Sequence, residues 1–367
     1  MKFTVSREDF LKPLQLVVGV VERRQTLPIL SNVLIGLSDG RLSLTGTDLE
    51  VEILGYLDLG DSPVIDGEIT VPGRKLMDIC RSLPEGAELT ISVDAGRATV
   101  TSGRSRFTLS TLPANEFPSV EDGPGNREFS LSQYTFKQLL DSTAFAMAQQ
   151  DVRYYLNGML LEVGEGRVRV VATDGHRLAM RDAPLENLDS DAIQVIIPRK
   201  GVLELSRLLV EDAGVEVVLG NNHIRVSTPE FRFTSKLVDG AYPDYQRVLP
   251  KGGNKQLIGR REELRQAFSR TAILSNEKYR GVRLLLSDGL LTLTANNPEQ
   301  EEAQEDVAVN YDAGELEIGF NVSYVIDVLN VLRGEEVRFT LSDANSSALI
   351  EDPATEGAVY VVMPMRL

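Results

Sequence analysis

Short runs of alternating apolar and polar residues cover most of this chain, and tight-turn dipeptides interrupt them at regular places. Three stretches share one plan: Leu30–Asp48, Tyr155–Asp174 and Arg280–Asn297. Each reads as an apolar strand, a turn on Asp39-Gly40, Glu165-Gly166 or Asp288-Gly289, and an alternating strand ending near a threonine. That is the pattern of a β-hairpin. Asp48 and Asp174 lie 126 residues apart, and Asp174 and Asn297 lie 123 apart.

The flanking segments repeat at the same interval. Upstream, Phe3–Leu14, Phe129–Leu140 and Leu257–Phe268 each give a short strand and then a helical pattern; downstream, Val71–Leu83, Ile197–Leu209 and Phe320–Leu332 do the same. Correlated sets at one spacing predict a triplicated domain. Residues 121–126 and 250–254 are turn-rich and nearly free of apolar side chains, which places the domains at 1–122, 128–252 and 253–367. Within each, strand, helix and several strands follow one another twice. Consecutive hairpins favour antiparallel pairing, so the expected class is α+β with six strand–helix–strands units.

The helical patterns predict which surface is charged. Arg74–Leu83 sets Leu76, Met77, Ile79, Cys80 and Leu83 on one stripe, with Arg74, Lys75, Asp78 and Arg81 off it. Lys200–Leu209 is expected to bury Val202, Leu203, Leu205, Leu208 and Leu209, leaving Lys200, Glu204 and Arg207 outside. Arg261–Thr271 buries Leu264, Ala267 and Phe268 and shows Arg261, Arg265 and Arg270 to water.

Composition changes the picture at one point. The 367 residues carry 38 Lys and Arg against 54 Asp and Glu, a net charge of −16, which by itself argues against a polyanion partner. The six helical segments with their flanks nevertheless sum to +8, so the remainder carries −24. Helices on one side of their sheets would make one basic face on an otherwise acidic protein, suited to phosphates without sequence readout.

Candidate chemistry is sparse. The single cysteine, Cys80, excludes an internal disulfide framework and multi-cysteine metal sites, and its apolar stripe suggests a buried, inert thiol. His176 beside Asp174 has no nucleophile near it in sequence and reads as a structural or binding residue, while His223 after Asn221-Asn222 reads as a solvated turn residue. Glu299-Gln300-Glu301-Glu302 resembles a metal site only in composition. No phosphate loop, nucleophile elbow, HExxH or Gly-rich dinucleotide turn is present. No cofactor, metal or catalytic residue is expected, and no apolar run approaches the ~18 residues that cross a bilayer. The chain reads as cytoplasmic, with no membrane partner.

Several strings resemble the bacterial DNA polymerase III β subunit family, the sliding clamps. They include 26–30 (TLPIL), 42–50 (LSLTGTDLE), 103–107 (GRSRF), 150–158 (QDVRYYLNG), 172–178 (ATDGHRL), 273–278 (ILSNEK), 296–301 (NNPEQE) and 360–367 (YVVMPMRL). The resemblance runs the length of the chain. It implies two chains joined head to tail in a ring of six domains, helices lining the hole and sheets outside. A water-separated basic lining would let such a ring slide on double-stranded, primed DNA without sequence preference.

The resemblance also implies site residues. DNA contacts fall on Arg24, Arg74, Gln150, Tyr154 and Tyr155, with Lys200 a further basic candidate on the helix equivalent to that of Arg74. A pocket for partner peptides falls on Leu156, Thr173, Gly175, His176, Arg177, Leu178, Pro243, Arg247, Val248, Asn321, Tyr324, Ser347, Val361, Val362, Met363, Pro364, Met365 and Arg366. Tyr279 and Asn345 also belong to it, each more polar than the residue expected there. Arg104, Arg106, Phe107, Leu109, Ile273, Leu274, Glu299, Glu301 and Glu302 would form the homodimer contact. The implied partners are the clamp loader, the DNA polymerase III alpha subunit, translesion and repair polymerases, and other proteins with a clamp-binding motif. Two other classes compete. A nucleotide-acting enzyme lacks a site, and a scaffold that does not bind DNA has no need of the charge partition.

Overall fold

The structure is a computed structural model that describes every residue except 22–26, 61, 121–122, 187, 189, 211–212 and 367. The first repeat runs β1 (Lys2–Ser6), α1 (Arg7–Val18), β2 (Asn32–Ser38), β3 (Arg41–Thr47), β4 (Val51–Asp58), β5 (Gly67–Pro72), α2 (Gly73–Ser82), β6 (Glu88–Asp94), β7 (Arg97–Ser102) and β8 (Ser105–Ser110). The second is β9 (Gly125–Ser132), α3 (Gln133–Asp141), β10 (Gly158–Gly164), β11 (Arg167–Thr173), β12 (Arg177–Pro184), β13 (Ile193–Pro198), α4 (Arg199–Leu208), β14 (Gly214–Gly220), β15 (His223–Ser227) and β16 (Phe231–Lys236). The third is β17 (Lys255–Arg260), α5 (Arg261–Thr271), β18 (Gly281–Ser287), β19 (Leu290–Asn296), β20 (Glu302–Ala308), β21 (Leu316–Asn321), α6 (Val322–Val331), β22 (Glu336–Leu341), β23 (Ala348–Glu351) and β24 (Ala358–Val362).

Hairpin chemistry sets the strand pairs. Asp39-Gly40, Ala95-Gly96 and Glu165-Gly166 all have positive φ at both positions, the backbone twist that two-residue antiparallel turns require. The two halves of each repeat then exchange their first strands. β1 pairs with β6 and β5 with β2; β9 pairs with β14 and β13 with β10; β17 pairs with β22 and β21 with β18.

Four sheets result, with orders β1-β6-β7-β8, β5-β2-β3-β4-β16-β15-β14-β9, β13-β10-β11-β12-β24-β23-β22-β17 and β20-β19-β18-β21. The eight-stranded sheets run across the repeat boundaries. The chain accordingly packs as two compact units, Met1–Tyr134 with Lys200–Leu237, and Thr135–Arg199 with Val238–Leu367. A sequence repeat and a packing unit differ here because the central repeat contributes one half to each.

In the first unit, Ser6 caps α1 by accepting from the Asp9 amide, and Phe10, Leu11, Leu14, Val17 and Val18 turn inward. α1 lies directly on its sheet: a Cβ at Gly46 would sit 2.5 Å from the Val17 carbonyl oxygen, and one at Gly55 2.9 Å from Pro13 Cβ. Arg7 donates from Nε to the Cys80 carbonyl at 2.9 Å, closing the end of α2. In the second unit Arg261 does the same for α6, donating from Nη1 to the Leu329 carbonyl at 3.3 Å.

Three expectations need correction. His223 is not a solvated turn residue: it opens β15 and is 1% exposed. Its ring fills the space that Gly220 and Gly123 leave, where Cβ atoms would come within 2.5 and 2.9 Å of it. Leu203 is 48% exposed, because the buried stripe of α4 is Gly201, Val202, Leu205 and Leu208 and passes it by. The boundary segment at 121–126 ends in structure, since Gly125 and Asn126 begin β9.

Cys80 is fully buried on α2, and burial pushes its thiol up to about 12. The native protein should therefore resist iodoacetamide at pH 8 for hours and react within minutes once unfolded in guanidinium, as mass spectrometry of the intact chain will show.

Candidate functional site

In the second unit, β11 and β12 meet in a turn built by Asp174. Its Oδ1 accepts from the amides of His176 and Arg177 at 2.9 and 3.1 Å, and Thr173 Oγ1 donates to the Arg177 carbonyl at 2.5 Å. Gly175 takes φ +90° there, and the Arg153 guanidinium lies where a Cβ would project. The turn presents Leu178 beside Val361, to which β24 pairs it directly.

A cavity of about 150 Å³ opens over this strand pair. Its walls are Arg153, Leu156, Thr173, Gly175, Arg177, Leu178, Pro243, Asp244, Tyr245, Val248, Val361 and Met363. Beneath it, Leu160, Val171, Leu178, Met180, Tyr245 and Val361 form one buried apolar cluster. Met363 is held at the wall by its amide, which donates to the His176 carbonyl at 3.0 Å, and the Met365 amide donates to the Gly319 carbonyl at 2.8 Å.

Charge is arranged around the cavity and kept out of its floor. Arg177 is largely buried. Its Nε pairs with Asp174 at 3.1 Å, Nη1 with Asp327 at 2.5 Å, and Nη2 donates to the Phe145 carbonyl at 2.7 Å. Its guanidinium also lies over the Tyr324 and Phe145 rings. Arg153 grips Asp151 through both carboxylate oxygens at 2.9 and 3.0 Å and donates to the Asp174 carbonyl at 3.1 Å. The Arg153 side chain, then its backbone amide, holds Asp151 down to about 2. A depressed carboxylate favours the paired state above its unfolded value, so this clamp is complete at neutral pH and opens only as pH falls through about 2. The Tyr242 hydroxyl accepts from the Thr173 amide at 3.0 Å, and burial raises it well above the usual phenol range.

The cavity brings together Leu156, Thr173, Gly175, Arg177, Leu178, Pro243, Val248, Val361 and Met363 of the residues implied by sequence. Other members lie outside its walls. His176 contributes a carbonyl, Arg247 pairs with Asp244 at 2.8 Å, and Tyr324 supports Arg177 from α6. Asn321 caps α6 by accepting from the Ser323 amide. Val362 is fully buried in β24. Tyr279 is 57% exposed under Lys278, and Asn345 and Ser347 lie near a turn closed by Asp343. Pro364 and Met365 are half-buried and Arg366 is exposed. Sequence reasoning missed Arg153, Asp244 and Tyr245. Arg153 lies between the named residues Gln150 and Tyr154, the signal that pointed to it.

The nucleic-acid candidates divide between the units. Gln150, at φ +55°, and Tyr154 are exposed on one short loop of the second unit, and Tyr154 meets the half-buried Tyr155 edge to face at 5.7 Å. The two tyrosines share a single 3₁₀ turn, so they do not point to opposite faces as an extended segment would require. Val152 beside them is 95% exposed. In the first unit Arg74 donates to the Val21 carbonyl at 2.7 Å, and Lys200 pairs with Asp48 at 2.5 Å. Arg24 lies outside the described residues.

Repeated strand–helix–strands units and an apolar cavity large enough for a side-chain anchor at a strand seam define a modular docking protein. Family models place it further. The DNA polymerase III beta subunit matches over all three of its domains: N-terminal at residues 1–121, central at 130–244 and C-terminal at 246–366. The chain belongs to the DNA polymerase III beta subunit family, whose members are sliding clamps and not the catalytic subunit. It is 64% identical to the beta sliding clamp of Pseudomonas aeruginosa and 56% identical to that of Escherichia coli, covering 100% of each chain in both cases. The crystal structure of the Pseudomonas aeruginosa DNA polymerase III subunit beta superposes with a TM-score of 0.97 at 63% identity, covering 100% of both chains. That of a Pseudomonas aeruginosa clamp bound to griselimycin gives 0.98 at 64%, again over 100% of both. No helix among the described residues is long and apolar enough to cross a membrane.

Proposed function

We propose that two copies of this chain close head to tail around duplex DNA in the cytoplasm, and that the Leu178 cavity holds short peptides of polymerases and of the clamp loader. The observation that carries the reading is a repeated seam. Within the first unit, β4 pairs with β16 so that Glu52 faces Thr234 and Ile53 faces Phe233. Within the second, β12 pairs with β24 so that Leu178 faces Val361 and Ala179 faces Tyr360. These are the same positions, offset by 126 residues on one strand and 127 on the other. The two four-stranded sheets end in β8 and β20, which among the described residues have no strand partner beyond β7 and β19. Free edges of this kind invite pairing.

A third seam between β20 of one copy and β8 of another follows the same rule. Alignment through the hairpin registers puts Glu301 opposite Leu109, Glu302 opposite Thr108, Ala303 opposite Phe107 and Gln304 opposite Arg106. In the second unit Phe145 stacks on Tyr360 with ring centroids 6.0 Å apart. Ile273 occupies the place of Phe145 in the third repeat and is 76% exposed, and Phe107 occupies that of Tyr360. Ile273 and Leu274 would thus meet Phe107 and Leu109 of the second copy, while Arg106 lies diagonal to Glu302 and the same register carries Arg104 opposite Asp306, away from Glu299 and Glu301. Each chain supplies one edge of each kind, so the contact closes when the rotation permits.

The DNA contact is weak, salt-sensitive and indifferent to sequence. Replacing Arg24, Arg74 and Lys200 together by alanine should lower retention on primed circular DNA about tenfold at moderate salt while sedimentation still shows a dimer. Unchanged retention would remove these residues from the lining.

A further inference from the structure

Glu162, Arg169 and Asp182 stand directly opposite one another on β10, β11 and β12, forming a charged row across three strands. The next row on that face is Leu160, Val171 and Met180, part of the apolar cluster beneath the cavity. Tyr245 bridges the two rows. Its ring, 4% exposed, lies in the apolar cluster and lines the cavity, while its hydroxyl reaches the charged row.

Every polar atom around that hydroxyl is engaged. Arg169 grips Asp182 with Nε and Nη2, both at 2.6 Å, and turns Nη1 to donate to Tyr245 Oη at 3.0 Å. The hydroxyl lies 3.4 Å from both oxygens of Glu162, to which it donates. Gln194 Nε2 donates to Glu162 Oε2 at 2.6 Å and holds that carboxylate from β13. A forked cation fixed by one carboxylate has a single direction left for its remaining N–H groups. The ring is therefore set in place from its polar end.

The chain contains its own comparison. At the equivalent row of the first unit, 126 residues earlier, Gly36, Ser43 and Tyr56 replace the three charged residues, and in the loop Phe117-Pro118-Ser119-Val120, which matches Tyr242-Pro243-Asp244-Tyr245, Val120 replaces Tyr245. Ser43 there donates to the Gly36 carbonyl at 3.3 Å. The equivalent seam has a groove lined by Thr47, Leu49, Ser119, Val120, Asn222, His223 and Lys236, with no tyrosine in its walls.

We propose that Arg169 and Glu162 are positioning residues for peptide capture: they fix the Tyr245 ring as a rigid wall of the Leu178 cavity before a peptide arrives. The inference rests on the docking reading above. A preset wall lowers the ordering cost of binding, so its loss appears as weaker affinity and faster dissociation.

The test is a titration of a fluorescent peptide carrying adjacent Leu and Phe anchors, with stopped-flow dissociation, on the intact dimer. Arg169→Lys keeps the charge and the reach to Asp182 but loses the fork; Tyr245→Phe keeps the ring but loses the hydroxyl. Each should weaken binding about tenfold, chiefly in the off-rate, and the double variant should be no weaker than the worse single. Affinity within twofold of the parent in Arg169→Lys overturns the proposal, as does a double variant whose losses multiply, or a lower melting midpoint with unchanged affinity. Val248→Asp, on the exposed rim, separates the two readings. If it too binds like the parent, the docking site itself is wrong; if it alone loses the peptide, only the positioning role fails.

Discussion

Replacing Ile273 and Leu274 together with aspartate is expected to turn the dimer into monomers at micromolar concentration. Ile273 follows α5 in a single 3₁₀ turn and is 76% exposed, an unusual place for an isoleucine in a folded chain. Leu274 beside it is half-buried. At a closed interface both would bury against Phe107 and Leu109 of the second copy, and a carboxylate left there without a partner costs several kcal/mol. Two such changes should raise the dissociation constant at least a thousandfold. The monomer itself should keep its melting midpoint within a few degrees, because neither side chain is part of the buried core. Sedimentation velocity across a concentration series checks the outcome. A charged double variant that remains dimeric at one micromolar would count against this seam.

Deletion of Met363 to Leu367 should remove peptide binding almost completely while leaving the dimer mass unchanged. β24 ends at Val362, so the deletion keeps every strand of its sheet, including the fully buried Tyr360, Val361 and Val362. What goes is the Met363 wall of the cavity and the two backbone hydrogen bonds that lay the tail against His176 and Gly319. A fully buried Leu or Phe anchor contributes about 1.5–3 kcal/mol. Opening one wall of a two-anchor site should weaken affinity at least a hundredfold. A truncated chain with parental affinity would place the peptide elsewhere. An unfolded third repeat would instead make the tail part of the core.

Local signals in the sequence specified local structure well. The hairpins at Asp39-Gly40 and Glu165-Gly166 were readable because a turn with positive φ at two positions admits few dipeptides. The stripes of α2 and α5 were readable because they are short and strongly amphipathic, and Leu76, Met77, Cys80, Leu264, Ala267 and Phe268 are all buried. The exchange of first strands between halves was not readable. β1 pairs with β6 across more than eighty intervening residues, and no local pattern states which strand closes which sheet. His223 misled for the same reason: its burial depends on Gly220 and on Gly123 from another loop.

The docking site was legible mainly through its resemblance to the family, and its supporting chemistry was not. Leu178 and Val361 each read as one more apolar strand residue until β12 and β24 are paired. Nothing in the sequence pattern singles out Arg169 or Asp182, which stand face to face beside Tyr245. Cross-strand rows of this kind are set by register, which the repeat spacing implies only after one register is known.

Register is also where the account is most directly exposed. Thr108→Cys and Glu302→Cys in one chain place two thiols on edges that should lie opposite each other in the closed ring. Directly opposed antiparallel residues stand about 4.5–5.5 Å apart at Cα, within reach of a disulfide. The one native cysteine, Cys80, is buried and will not compete. Mild oxidation should give a covalent dimer linked at both seams that stays on circular DNA through a denaturing wash. If this pair remains reduced while Thr108→Cys with Gln304→Cys, two residues out of register, cross-links instead, the chain does not continue its internal seam across the interface.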